Sequence, residues 1–242
     1  KPQYTAPVGG MVIMGEQTEE VKAVYTKEVL EVVDEIAKDW MEGDLGVPTP
    51  EALRERNDQE IQRCRDRLET GDPPLQIEPP TTQPATKMKP GTEIYKGVDV
   101  VTTGQTYKPH FLIHGLNEGP DTAFMTDNED STVRTLPKSA KSHQNIQQAV
   151  EGTLVVKRSG QPDLCLKDDQ GVLFVRVPGF DDVGLVARQT EKGLQDIPAP
   201  LVDLALLVHH SGRKMMDKYG GVYVFLPKTR TLDDIQVMEK IA

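Results

Sequence analysis

Five histidines, two cysteines and a scatter of paired carboxylates are the residues of this 242-residue chain with the means to do chemistry. His110 and His114 stand four apart in HFLIH, a spacing that on a helix brings two imidazoles to one metal. The stretch is apolar, lies between Pro109 and Gly115, and reads as a strand. Four strand residues span about 13 Å, too far for two nitrogens that must each lie about 2.1 Å from a shared ion. His209 and His210 are neighbours that point roughly 100° apart on a helix. Beside Arg213 and Lys214 they read as a helix end, with a pH-sensitive contact as the sharper option. His143 is isolated in a polar segment. The pairs Asp168/Asp169, Asp181/Asp182 and Asp233/Asp234 fit turns and a first helical turn, because consecutive residues of an extended chain face opposite ways. DNEDS at 127–131 starts like a calcium loop, but Thr132 and Lys138 stand where such a loop needs glycine and glutamate. Signatures of the common hydrolases, nucleotide sites and zinc sites do not occur. The expectation is a chain with no catalytic residues, no metal ligands and no cofactor.

One segment concentrates positive charge. Between His209 and Arg230 lie Arg213, Lys214, Lys218, Lys228 and Arg230 against the single acid Asp217. The chain as a whole carries a net charge of −10, which repels nucleic-acid backbone and anionic lipid at long range. Contact with nucleic acid or an acidic partner therefore falls to these five residues.

The elements that would position such groups follow from periodicity. Residues 1–17 form an extended arm with the apolar cluster MVIM, and Lys1 rather than Met stands first, as expected after processing or partial coverage. Thr18 caps a helix over about 18–42 whose apolar residues Val21, Tyr25, Val29, Val32, Ile36 and Trp40 make one stripe. This is the surface expected to meet another protein. Thr49 and Pro50 start a second, highly charged helix bearing Cys64, so residues 18–70 form a helical hairpin. The linker 71–90 holds six prolines, each of which fixes φ and removes a backbone donor. It is expected to be an extended strap that carries the helices away from the body toward a neighbour.

Residues 91–242 form an α+β domain. Strands are expected over 93–102 and 108–113, a long loop over 115–148 with a short helix near 142–150, and a meander through 153–157, 163–167 (with Cys165) and 172–177, with another strand near Leu185. A helix starts at Pro198 and is interrupted at Ser211 and Gly212, a short strand follows at VYVFLPK, and Thr231 caps a last helix. The fold class is α+β with a small antiparallel β-sheet and terminal helices. The longest apolar run, Leu204–Val208, is far below the ~20 residues of a membrane span, and two distant cysteines do not make a disulfide framework.

DKYGGVYVFLPKTRTLDDIQVMEKI, residues 217–241, resembles the middle of the Mor and C transcription activators of Mu-like bacteriophages through Gly220, Gly221, Val222, Tyr223, Pro227 and Lys228. In that family a further helix leads into a helix-turn-helix, which has no counterpart before Ala242. The resemblance implies a phage origin without carrying DNA binding over.

Lean aromatic content (5%), long Pro- and Gly-rich arms and no convergent catalytic set point to a non-enzymatic assembly protein of a larger complex. A virion is the expected setting, with subunits of the same assembly as partners in a homo- or hetero-oligomer. Location would be the virion or the host cytoplasm, with neither signal peptide nor membrane span. Two alternatives stay open. One is a DNA-binding regulator using residues 209–230. The other is an enzyme whose dispersed site gathers His110 or His114 with carboxylates of the 121–130 loop.

Overall fold

The computed structural model describes residues 5–8, 10–71, 100–131, 134–229 and 231–241. Residues 72–90 of the proline-rich linker, the expected strand residues 93–99 and Arg230 lie outside the described residues. The fold is mixed α+β. The chain opens with strands β1 (Thr5–Val8) and β2 (Met11–Ile13) and helices α1 (Glu19–Val24), α2 (Lys27–Glu42) and α3 (Pro50–Thr70). β3 (Val100–Gly104), α4 (Pro109–Leu116), β4 (Thr122–Asp127) and α5 (Leu136–Glu151) follow. A two-stranded ribbon of β5 (Val155–Val156) and β6 (Leu164–Cys165) precedes β7 (Val172–Arg176), β8 (Val183–Thr190) and β9 (Gly193–Pro198). The last elements are α6 (Ala199–Leu207), a π-helical bulge at Val208–Gly212, α7 (Arg213–Tyr219), β10 (Tyr223–Phe225) and α8 (Leu232–Ile241).

An antiparallel sheet is present in the order β1-β2-β8-β9, but two of its strands come from the segment expected to be an extended arm, which pairs through β2 with β8. Beside it stands a second four-stranded sheet, β10-β7-β4-β3, in which every pair is parallel. Its strands neighbour one another in chain order, and helices fill the crossovers that parallel pairing requires. Phe124, Leu173 and Val175 face one way, into a core with Leu112, Ile113 and Leu116 of α4 and Ile146 of α5. The alternating positions Val101, Met125, Phe174, Tyr223 and Phe225 face the other way, and Phe174 and Tyr223 bring their rings to 5.3 Å.

Several sequence expectations change here. HFLIH is helical, not extended: Pro109 occupies the first turn of α4, and Leu112, Ile113 and Leu116 are its buried side. The 115–148 stretch contains the central strand β4 and most of α5 rather than a long loop. β7 pairs with β4 and β10, so the expected meander reduces to β5 and β6. The helix from Thr18 breaks at Tyr25, and Thr26 caps the second part, accepting a hydrogen bond from the Val29 amide.

The other core is built from both ends of the chain. Val21, Tyr25, Val29, Leu30, Val33 and Trp40 pack with Ile13 of β2, Val186 of β8, Ile197 of β9, Leu201 of α6 and Val237 of α8. Trp40 is fully buried, its ring meets Phe180 edge-on at 6.0 Å, and its indole N–H donates to Pro48 O at 2.8 Å. The helical region thus lies against the body of the chain.

Candidate functional site

In parallel βα sheets the strand carboxyl ends are where loops converge and ligands bind. Here those ends gather an unusual set of charges. β4 ends at Asp127 and continues into Asn128, Glu129 and Asp130, β7 ends at Arg176, and Lys228 follows β10. Register explains the meeting: Asp127 and Phe225 are the residues opposite Arg176 on its two neighbouring strands. The guanidinium lies 5.9 Å from the Phe225 ring centre.

Arg176 Nη1 is 3.4 Å from Asp127 Oδ1, Nη2 donates to Asp130 Oδ2 at 2.7 Å, and Nη2 also pairs with Glu129. Lys228 Nζ lies 2.5 Å from Glu129 Oε1 and 3.7 Å from Asp130 Oδ1. Asp127 is fixed from behind, accepting from the amides of Glu129 (3.3 Å) and Ser131 (3.1 Å). Lys228 holds φ +53°, alone among the described non-glycine residues in taking a positive value. That conformation is uncommon for an L-residue and worth on the order of 1–3 kcal/mol of local strain. It carries the side chain across Gly179, where an added Cβ would sit 3.5 Å from Lys228 Cδ and 3.7 Å from Glu129 Oε1. Asp182 Oδ2 accepts from the Gly179 amide at 3.1 Å and holds that loop in place.

The charges tune one another. The hydrogen bond from Arg176 holds the Asp130 carboxyl below the usual aspartate range, and the contact with Glu129 raises Lys228. Burial alone would lower Arg176, but Asp130, Glu129 and Asp127 more than offset it and raise the net value. Asp130, Arg176 and Lys228 are each shifted toward their charged forms. Glu129 is the deepest, its side chain 3% exposed, while that of Asp130 is 59% exposed.

Behind this cluster is a second, enclosed one. Arg134 Nη2 donates to Asp203 Oδ1 at 2.9 Å, and His143 Nε2 stands 3.8 Å from Asp203 Oδ2, beyond hydrogen-bond length. Tyr25 and Ser139 share a hydrogen bond of 2.8 Å, and burial drives the Tyr25 phenol far above its ordinary value. Asn128 joins the two clusters, lining with Arg134, Ser139, Ser142 and Asp203 a cavity of about 10 Å³.

The residues singled out from sequence are distributed differently. Arg213 lies 3.8 Å from Asp217, Lys214 pairs with Glu151 at 3.0 Å, and Lys218 donates to Ala149 O and Gln170 Oε1. Those three belong to α7, which leads into the amino end of β10, whereas Lys228 follows its carboxyl end, so the four do not form one basic surface. In the stripe of α1 and α2, Val21, Tyr25, Val29 and Trp40 are buried in the chain's own core. Val32 and Ile36 instead line an apolar groove of about 220 Å³ with Leu204, Val208 and His209. His110 and His114 do share a helix, and both are exposed. No group of three histidines, cysteines or carboxylates able to hold a metal occurs among the described residues. His210 Nε2 lies 2.7 Å from Val24 O at the end of α1, and burial lowers its pKa. Both cysteines are free. No helix among the described residues is long and apolar enough to cross a membrane. Sequence alone singles out Glu129 only within DNEDS and the 121–130 carboxylates, and does not single out Arg176. The available signal was the apolar run VLFV ending in a lone arginine, at the carboxyl end of a strand.

No family model matches the chain. Among curated proteins it is 30% identical over 120 residues to the malate synthase of Myxococcus xanthus (strain DK1622). It is 32% identical over 120 residues to malate synthase A of Escherichia coli (strain K12). Half of this chain resembles malate synthases. It spans about a fifth of the length of these relatives, 21% and 22% respectively. This likeness to enzymes overturns the expectation of a non-enzymatic virion assembly protein. Thin aromatic content and proline-rich arms are compositional features that suggest a scaffold, whereas the meeting of Arg176 with the DNEDS carboxylates depends on strand register.

Proposed function

We propose that this chain contributes an active-site region of the malate-synthase kind, handling a small hydroxy-dicarboxylate at the carboxyl ends of β4, β7 and β10. The observation that carries this reading is the convergence of Arg176 and Lys228 on Glu129 and Asp130 at that sheet end. Malate, the product in the relatives' names, presents carboxylates, which guanidinium and ammonium groups bind with charge-assisted hydrogen bonds. The buried carboxylates hold the two cations in place and leave the arginine fork pre-positioned, which limits the ordering cost of binding.

Isothermal titration of the chain with L-malate tests the proposal. Binding is expected, and Arg176→Lys, which loses the planar fork, should weaken it tenfold or more, the loss of roughly one charged hydrogen bond. Absence of heat up to about 10 mM malate, a concentration corresponding to only ~3 kcal/mol of binding free energy, would overturn the reading.

A further inference from the structure

Resting on the carboxylate-site reading above, we infer that the Asp130 side chain occupies the seat of a ligand carboxylate on Arg176 and Lys228, and that ligand binding displaces it. Three carboxylates surround one guanidinium, and they are not equivalent. Asp127 is tied to two backbone amides, and Glu129 is buried between Arg176 and Lys228. Asp130 has neither anchor: its side chain is 59% exposed, and its contacts among the described residues are with the two cations. It spans Arg176 Nη2 at 2.7 Å and Lys228 Nζ at 3.7 Å, bridging cations from two different strand ends as a bound carboxylate would. Arg176 Nε is buried and makes no hydrogen bond among the described residues, so within them the fork retains an unused donor beside the occupied one.

Exchanging one carboxylate for another leaves the local charge balance unchanged. The cost is the release of an exposed ion pair into water, which is small. A resident competitor lowers apparent affinity by the fraction of time it holds the seat. Removing it should therefore strengthen binding, the reverse of what loss of a ligand contact would do.

The experiment is titration of wild type, Asp130→Ala and Arg176→Lys with L-malate and, separately, with succinate, each protein checked by far-UV circular dichroism and thermal unfolding. Asp130→Ala is expected to bind malate about three- to tenfold more tightly, and Arg176→Lys more weakly. Unchanged or weaker binding in Asp130→Ala, with loss in Arg176→Lys, overturns the displacement and leaves the malate reading intact. If succinate but not malate binds, and binds more tightly to Asp130→Ala, the displacement holds and the malate reading fails. If neither anion binds wild type or Asp130→Ala, both are overturned.

Discussion

Asp203 is a buried carboxylate whose charge survives because of what surrounds it. Burial alone would raise its pKa, but the Arg134 guanidinium and His143 outweigh burial and hold it below the ordinary aspartate value. A carboxyl depressed in the folded state contributes stability that is complete above its unfolded pKa, ~3.9. That contribution is lost as pH falls through the lower folded value. Wild type should therefore lose stability below about pH 4 with a component that is absent in Asp203→Asn, read from urea midpoints across that range. Arg134→Met leaves the buried charge without its closest partner and should cost on the order of 3–5 kcal/mol. A loss below about 1 kcal/mol would mean that Asp203 finds another partner or accepts a proton.

At the scale of elements, α4 and β4 are locked together by a missing side chain. A Cβ at Gly115 would stand 1.9 Å from the Phe124 ring, so only glycine lets the helix approach the strand this closely. Alanine favours a helix by about 1 kcal/mol, yet Gly115→Ala should destabilise by about 1–3 kcal/mol because the ring must be displaced; chemical denaturation checks the sign. The same pair of elements marks where sequence reasoning stops. Helix starts were legible because their signals are local: Thr18, Thr49 and Thr231 each accept a backbone hydrogen bond as expected, and Thr231 and Asp234 complete a reciprocal cap. The irregularity at Ser211 and Gly212 was legible too, and is the π-helical bulge. A short apolar run such as HFLIH fits either period, so local pattern alone does not distinguish α4 from a strand. TAFMTD looked like part of a loop because a central parallel strand draws its hydrogen bonds from segments some fifty residues away, as β4 does from β7. DNEDS marks the carboxylate half of the candidate site in the sequence, but register, which is non-local, is what brings Arg176 beside Asp127, so the cationic half has no local signal.

For the whole molecule, the decisive fact is that one core takes residues from α1 and α2, from β8, β9 and α6, and from α8. Helices with narrow apolar stripes gain their stability from such packing rather than from propensity. Trp40, the single tryptophan of the chain, lies within this shared core and reports on the N-terminal helices, while far-UV circular dichroism reports on all elements. A common core predicts coincident transitions for the two signals in urea, as two-state unfolding requires. Trp40→Phe, read by circular dichroism alone, keeps most of the aromatic volume and should lower the midpoint modestly, whereas Trp40→Ala should cost about 3–5 kcal/mol. Fluorescence that changes well before the dichroism would place α1 and α2 in a separate, weaker unit. The Arg134–Asp203 pair and the Tyr25–Ser139 hydrogen bond join the same regions with polar contacts, so Arg134→Met should shift both transitions together rather than split them.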